Sequence, residues 1–425
     1  MRTPSILEPP KAIIPARVPL AELEVALITR LYGGGATTRA LDPISWLRSS
    51  ALKSALRFWW RTGHAKGSVS LADLRAKEER LFGAPARFVR EKGETRIVGG
   101  PGMLEVEVFD VLRPEPSAYD LTAGNPLTVA YFAARAQEGG AEAADLGMPN
   151  DRAHSARARL RLLFKGKAES PEGQEIIEAL RLWLVLGGAG ARTRRGAGAV
   201  AVTSVSVART LGLPTSHEEL NELLARWCRP LNVPPALAGV FTLARTRSVF
   251  VGTAHRDAES AQRELLSVYR AVRQRGREPG QDKWPEANQI RLSIRSGSAP
   301  RGRFPRGALG LPIVFFFGRG NPLNRTLIGA RRSSDSWNTV NRFASPILLR
   351  PVRIWIGDQP RYVPVAIVTA CTLPIDMRPA LVQNPGEALD PERNLGLEAT
   401  LAAAAEEALV YLEGELAKRF TRLEL

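Results

Sequence analysis

The sequence is poor in the side chains that most often do chemistry on their own. Its only two cysteines, Cys228 and Cys371, stand in no paired motif, which argues against a disulfide framework or a cysteine-bound zinc. The four histidines, His64, His154, His217 and His255, lie far apart and form no metal or base–nucleophile motif. His64, just after a basic segment, is the least implausible general base, and His217 falls in the first turn of an expected helix. No run of 18 apolar residues occurs, and Met1 to Val18 carry four prolines with no apolar stretch. Neither a spanning helix nor a secretory leader is expected, and the chain reads as cytoplasmic with no membrane partner.

Lysine is scarce too: nine of the 59 basic residues are lysine, which leaves 50 arginines. Compositional bias from a GC-rich or thermophilic source explains such a ratio, but not the accompanying net charge of +16 and pI near 10.5. Arginine grips phosphate with a two-pronged fork and stacks on bases, so this excess points to nucleic acid. With 425 residues, 44% of them apolar, there is enough chain for two domains with cores of their own.

The organising stretch is 31 to 61. Val25, Leu27 and Leu31 alternate with Glu24 and Arg30 as a half-buried strand should, and run into Gly33-Gly34-Gly35. A helix follows, expected from about Ile44 to Arg61 after Pro43. On a helical wheel Leu47, Ala51, Leu52, Ala55, Leu56, Phe58 and Trp59 share one side. Lys53, Arg57 and Arg61, spaced by four, form a cationic strip on the other, with Ser50 and Ser54 beside it. A glycine turn before a basic helix lets backbone N–H groups approach phosphates, although a merely solvated face has the same pattern. Trp46, Trp59 and Trp60 are expected mainly in the core, and Asp42 as a cap rather than a metal-assisted carboxylate.

Further along, Ser70 opens a second helix that ends at Gly83, and strands are expected at 86–89, 95–98 and 104–109. Residues 111–155 form a long turn-rich loop. Arg157, Arg159 and Arg161 then alternate with Leu160 and Leu162. This is either an arginine face for phosphates or a charged edge strand. Ser170-Pro171 starts a helix that ends in a loop from Gly187 to Gly198, holding Gly188, Gly190, Arg192, Arg194 and Arg195. The loop lacks the Lys-Ser/Thr of a Walker motif and follows a helix, unlike a Rossmann turn. It suits a polymer crossing a sheet, with a flexible linker as the alternative.

Residues 22–208 thus read strand, helix, strands, helix, strand. A second, degenerate set follows: a strand near 241–251, a helix from Asp257 to Gln274, a mobile basic loop over 273–305, strands at 345–356 and 362–369, and a long helix from 395 to 420 with no clear last strand. The class is therefore α+β, two tandem ferredoxin-like (RRM-related, βαββαβ) domains with insertions, spanning 1–212 and 213–425.

Leu31-Tyr-Gly33-Gly34-Gly35, the helix from Ser50 to Arg61, Glu79-Arg-Leu-Phe82-Gly83, the loop from Gly187 to Gly198 and Arg342-Phe-Ala-Ser345-Pro346 occur in that order. Together they resemble the RAMP superfamily of CRISPR proteins, most closely the Cmr subunit-one family of type III-B effector complexes. The resemblance implies an RNA-binding, non-catalytic subunit near the 3′ region of the CRISPR RNA, beside other RAMP subunits, that helps capture target RNA. From the residues themselves, no cofactor or metal is expected. The resemblance carries RNA contact to Gly33, Gly34, Gly35, Lys53, Arg57, Arg61, Arg192, Arg194, Arg195 and Arg342, and leaves residues 387–397 in doubt for lack of glycine. Since some relatives cleave RNA, a metal-independent endoribonuclease that processes CRISPR transcripts is the alternative.

Overall fold

The computed structural model describes residues 19–34, 41–91, 94–117, 146–148, 156–237, 239–275, 283–298, 301–315, 317, 323–333, 336–340, 343–370, 373, 376–383, 389, 395–396 and 400–425. Strand β1 (Pro19–Leu27) buries Leu23, Val25 and Leu27 and turns Glu22 outward, as its alternation dictates. Helix α1 (Ser49–His64) and helix α2 (Leu71–Phe82) follow. The first begins later than Pro43 suggests, because Asp42 Oδ1 accepts hydrogen bonds from the Ile44 and Ser45 amides, both at 2.9 Å, and closes a turn before the helix. These contacts hold the Asp42 carboxyl below its usual range, so it acts as a turn cap.

Strands β2 (Leu104–Leu112) and β3 (Arg157–Phe164), helix α3 (Pro171–Leu186) and the short strand β4 (Val200–Val202) complete the first unit. Its antiparallel sheet runs β2-β3-β1-β4, with Leu23 opposite Leu160 and Val25 opposite Val202. Helix α4 (His217–Cys228), capped by Ser216 through the Glu219 amide, packs its leucines into the same core. Of the expected loop 111–155, residues 111–117 and 146–148 are described: Val111 and Leu112 end β2, and Glu115–Ser117 and Leu146–Met148 are short strands in one sheet with Leu31–Tyr32.

The second unit repeats the path. Strand β5 (Thr246–Val251), helix α5 (Ala258–Arg273), strands β6 (Ile347–Ile356) and β7 (Gln359–Thr369), helix α6 (Ala405–Ala417) and strand β8 (Thr421–Leu423) build a sheet of order β6-β7-β5-β8. A last strand therefore exists. Three residues are too few to show a period of two, but they pair with β5 at Val249, Phe250 and Val251. The tract expected as a basic loop contains a helix, Glu286–Ser296, because the buried Glu286 pairs with Arg306 at 3.3 Å and Ile290 is buried. The final helix is shorter than expected, beginning at Ala405. An unexpected sheet is built from segments before β6 and after β7: Arg325–Ser333 pairs with Ile313–Phe315, Ser336–Val340 and Arg378–Val382.

One core cluster joins residues of β1, α1 and α3 to Leu348, Val352, Val363 and Val365 of the second sheet. The two units are thus fused along a common apolar interior.

Candidate nucleic-acid interface

Two glycine segments that lie far apart in sequence meet at the end of β1. The loop from Gly187 to Gly198 is stitched to the first segment: the Ala191 amide donates to Tyr32 O at 2.9 Å and the Gly198 amide to Arg30 O at 2.8 Å. Gly34 has a φ of +106° and lies so close to the loop that a β-carbon on it would sit 3.6 Å from Gly190 Cα. Gly33 is buried behind it, and Gly188 backs onto the Gly198 carbonyl within the loop. Opposite this backbone layer stands α1, and between them opens a cleft of about 610 Å³. Ala51 and Ala55 line its helix wall, Gly190 and Ala191 its loop wall, and Trp59 and Leu186 its floor.

Among the described residues, two cations reach this cleft. Arg48, exposed and not anticipated from the sequence, donates to Gly34 O at 3.0 Å and pairs with Asp42 at 3.5 Å. Arg194 donates to Ser345 O and lies over Phe241 at 4.2 Å and Phe58 at 5.9 Å. Burial pushes its guanidinium down to about 10. Arg195 lies 5.7 Å from the Tyr269 ring and is likewise pushed down to about 10, by burial first, which the Tyr269 phenol partly offsets. The two arginines point from the loop toward the second unit, where the sequence suggested guanidinium groups open to solvent. Arg192, half-buried, takes a left-handed φ of +63° that is unusual for a residue with a side chain.

The cationic strip of α1 faces elsewhere. Glu78 of α2 is buried and receives Arg57 Nε at 3.2 Å and Arg61 Nη1 at 3.3 Å. Arg57 also donates to Gly83 O and lies over Phe82 at 5.8 Å. Lys53 sits above them with its pKa lowered by burial and then by the Arg57 charge. A buried carboxylate needs its cations, and this need turns the strip away from the glycine loop. Ser50 and Ser54 remain exposed on the helix surface.

The arginine row of β3 is not an open cationic face. Arg157 pairs with Glu24 at 3.5 Å, Arg159 with Glu22 at 2.8 Å and Asp110 at 3.4 Å, and Arg161 with Glu22 at 2.9 Å and Glu107 at 3.1 Å. Phe109 lies under Arg159 and Arg161, at 5.2 and 4.9 Å. Antiparallel register places acidic positions of β1 and β2 beside each arginine, and the result is a ladder of ion pairs. The alternating Glu22 and Glu24, and Glu105 and Glu107, were the signal for it.

Gly35, Arg342, His154 and most of residues 387–397 lie outside the described residues. Trp46, Trp59 and Trp60 are buried, as core residues should be. His64 stacks on Trp60 with its Nδ1 3.0 Å from Trp60 O. His217 opens α4, with its Nε2 3.1 Å from Gly252 O, and His255 pairs with Glu264 at 2.7 Å. Among the described residues no helix is long and apolar enough to cross a membrane.

The sequence matches no curated protein. Among solved structures, a crystal structure of Cmr1 from Pyrococcus furiosus in its apo form is 17% identical and covers 95% of this chain and 98% of its own, with a TM-score of 0.45. A chain of a type III-B Cmr-beta complex bound to cognate target RNA and AMPPnP in the presence of ssDNA is 10% identical and covers 93% and 99%, with a TM-score of 0.40. A chain of Cmr-beta bound to cognate target RNA is 12% identical and covers 92% and 98%, at 0.37. The RAMP superfamily model matches residues 24–201, from β1 to β4 and through both glycine segments of the cleft.

Proposed function

We propose that the protein is a non-catalytic RNA-binding subunit of a type III-B CRISPR (Cmr) ribonucleoprotein effector. It is built from two tandem ferredoxin-like domains that divide near residue 212, and it works in the cytoplasm beside other RAMP subunits. It contacts the 3′ region of the CRISPR RNA and helps capture target RNA for antiviral defence. The observation that carries this reading is the cleft of about 610 Å³, at which Gly34, the glycine loop and α1 meet with Arg48 and Arg194 on its lining. Glycine backbone lets a polymer come close, and guanidinium groups supply the charge that a phosphate chain seeks. The net charge of +16 adds attraction at longer range.

Among the sequence candidates, this reading assigns direct contact to Gly34, Ser50, Ser54, Gly190, Arg192 and Arg194, and adds Arg48. It makes Arg57, Arg61, Arg157, Arg159, Arg161 and Arg195 supports of the fold, held by Glu78, Glu24, Glu22 and Tyr269.

Salt-dependent binding of the full chain to single-stranded RNA tests the reading. Arg48→Ala together with Arg192→Ala is expected to lower the log–log salt slope by about 1.4, or roughly 0.7 per lost phosphate contact. The RNA should remain uncut. An unchanged slope and affinity, or discrete cleavage that depends on His64, would overturn it.

A further inference from the structure

We propose that the cleft between α1 and the glycine loop takes one unstacked nucleobase of the bound RNA, while Arg48 and Arg194 at its lining hold the adjacent phosphates. This inference rests on the RNA-binding reading and says which part of the polymer enters. The floor is buried and apolar, formed by Trp46, Leu47, Trp59 and Leu186. A phosphate pressed onto such a floor would lose its water and gain no donor there, whereas a base loses little and buries its ring. Ala51 and Ala55, one helical turn apart, and Gly190 and Ala191 put small residues on its two walls, beside the larger Phe58, Thr193 and Leu348. A flat ring fits between such walls. About 610 Å³ lies within the ordinary range for small-molecule sites and exceeds what one base requires.

The cations supply an independent indication of an anion. Arg194 is half-buried, its guanidinium rests on Phe241 and Phe58 and donates to a carbonyl, and burial alone governs its charge. It is a desolvated cation whose contacts are neutral, in contrast to Arg57, Arg61 and Arg161, which all meet carboxylates. A phosphate beside an inserted base would complete it.

The test uses the full-length protein and a 20-nucleotide oligouridylate that carries a single 2-aminopurine, moved along the strand. Binding is expected to quench the fluorophore severalfold at one position, and an abasic site there should weaken binding about tenfold. Ala55→Leu fills the slot with a residue that keeps the helix, so it should remove both effects and leave the salt slope unchanged. Ala76→Leu, at an exposed position of α2 outside the cleft lining, should change neither. If RNA binds with a normal salt slope but quenching and abasic sensitivity are the same at every position of the wild-type complex, the base slot is wrong and the RNA reading stands. Absence of salt-dependent binding defeats both.

Discussion

Arg350 Nη2 donates to the carbonyl oxygen of Val200 at 3.0 Å and so joins β6, an edge strand of the second sheet, to β4, an edge strand of the first. The same guanidinium reaches Leu184 O at 3.3 Å and Val185 O at 3.1 Å, two carbonyls at the C-terminal end of α3. Arg353, three residues further along β6, donates to Val202 O at 2.8 Å. The β4 edge, whose carbonyls would otherwise face the second unit unpaired, is closed by arginine side chains of β6 in place of a continuous backbone ladder. Here a cation also meets the negative end of a helix dipole. The glycine loop, which precedes β4, is anchored by this joint.

Arg350 is only 1% exposed, so its removal strands three buried carbonyls. Arg350→Ala is expected to destabilise the protein by about 3 kcal/mol, the cost of orphaned acceptors less the relief of unburying a charge. Arg350→Lys should recover less than half, since an ammonium on a single stem does not span diverging acceptors as a planar fork does. Urea denaturation of the three proteins measures this, and a loss below about 1 kcal/mol for the alanine variant would contradict the joint.

The loop makes a second prediction. Gly198 has a φ of +61°, and a β-carbon on it would fall 2.0 Å from the Ala189 carbonyl oxygen. Gly198→Ala should therefore cost more than about 2 kcal/mol, from left-handed strain plus a backbone clash that no rotamer relieves. Gly67 has nothing within 4 Å of the same position, and Gly67→Ala should stay within about 0.5 kcal/mol of wild type. Equal melting temperatures for the two variants would show that the loop is not held as described.

Cys228 reports on α4 directly. Its thiol is fully buried in the first core, and burial pushes its pKa up to about 12. At pH 8 about one thiol in ten thousand is ionised, and even that one is shielded from solvent. In a Cys371→Ser background, iodoacetamide should leave the native protein unlabelled for hours and modify it within minutes in urea. Fast labelling without denaturant would mean that α4 detaches from the core.

Local signals in the sequence carried most of the elements. Ser170 caps α3 through the Gly173 amide at 3.2 Å, and Ser216 caps α4 as its capping box predicts. The alternation in β1 and the wheel of α1 placed Val25, Leu27, Leu52 and Leu56 correctly in the core. Partners distant in sequence were not legible. The wheel separated Lys53, Arg57 and Arg61 from the apolar face but was silent on Glu78, which α2 brings beneath them. Arg194 and Arg195 looked free because Ser345 and Tyr269 lie some 150 and 74 positions further on. Arg48 belongs to no stripe in the sequence and becomes part of the cleft only when Gly34 arrives beside it.

The ladder on the outer face of the first sheet sets the acid limit of the fold. Glu22 accepts a hydrogen bond from Arg161, which with the charges of Arg161 and Arg159 holds its carboxyl below the usual range. Glu79 is lowered by Arg75 and Arg87, and Glu406 by Arg247. Each of these groups has a lower pKa folded than unfolded, so the unfolded chain binds more protons in acid. The stability they contribute is fully present above the ordinary carboxylate range, near 4.5, and drains away as pH falls through the lowered folded values. Melting temperature is therefore expected to be flat from pH 8 to about 5.5 and to fall steeply below about 4.5. Glu22→Gln should lie below wild type at pH 7, where it lacks the ion pairs to Arg159 and Arg161, and converge on it as pH falls through the lowered folded value and wild-type Glu22 takes up its proton. A constant offset between the two proteins across that range would show that Glu22 acts through packing and not through its charge.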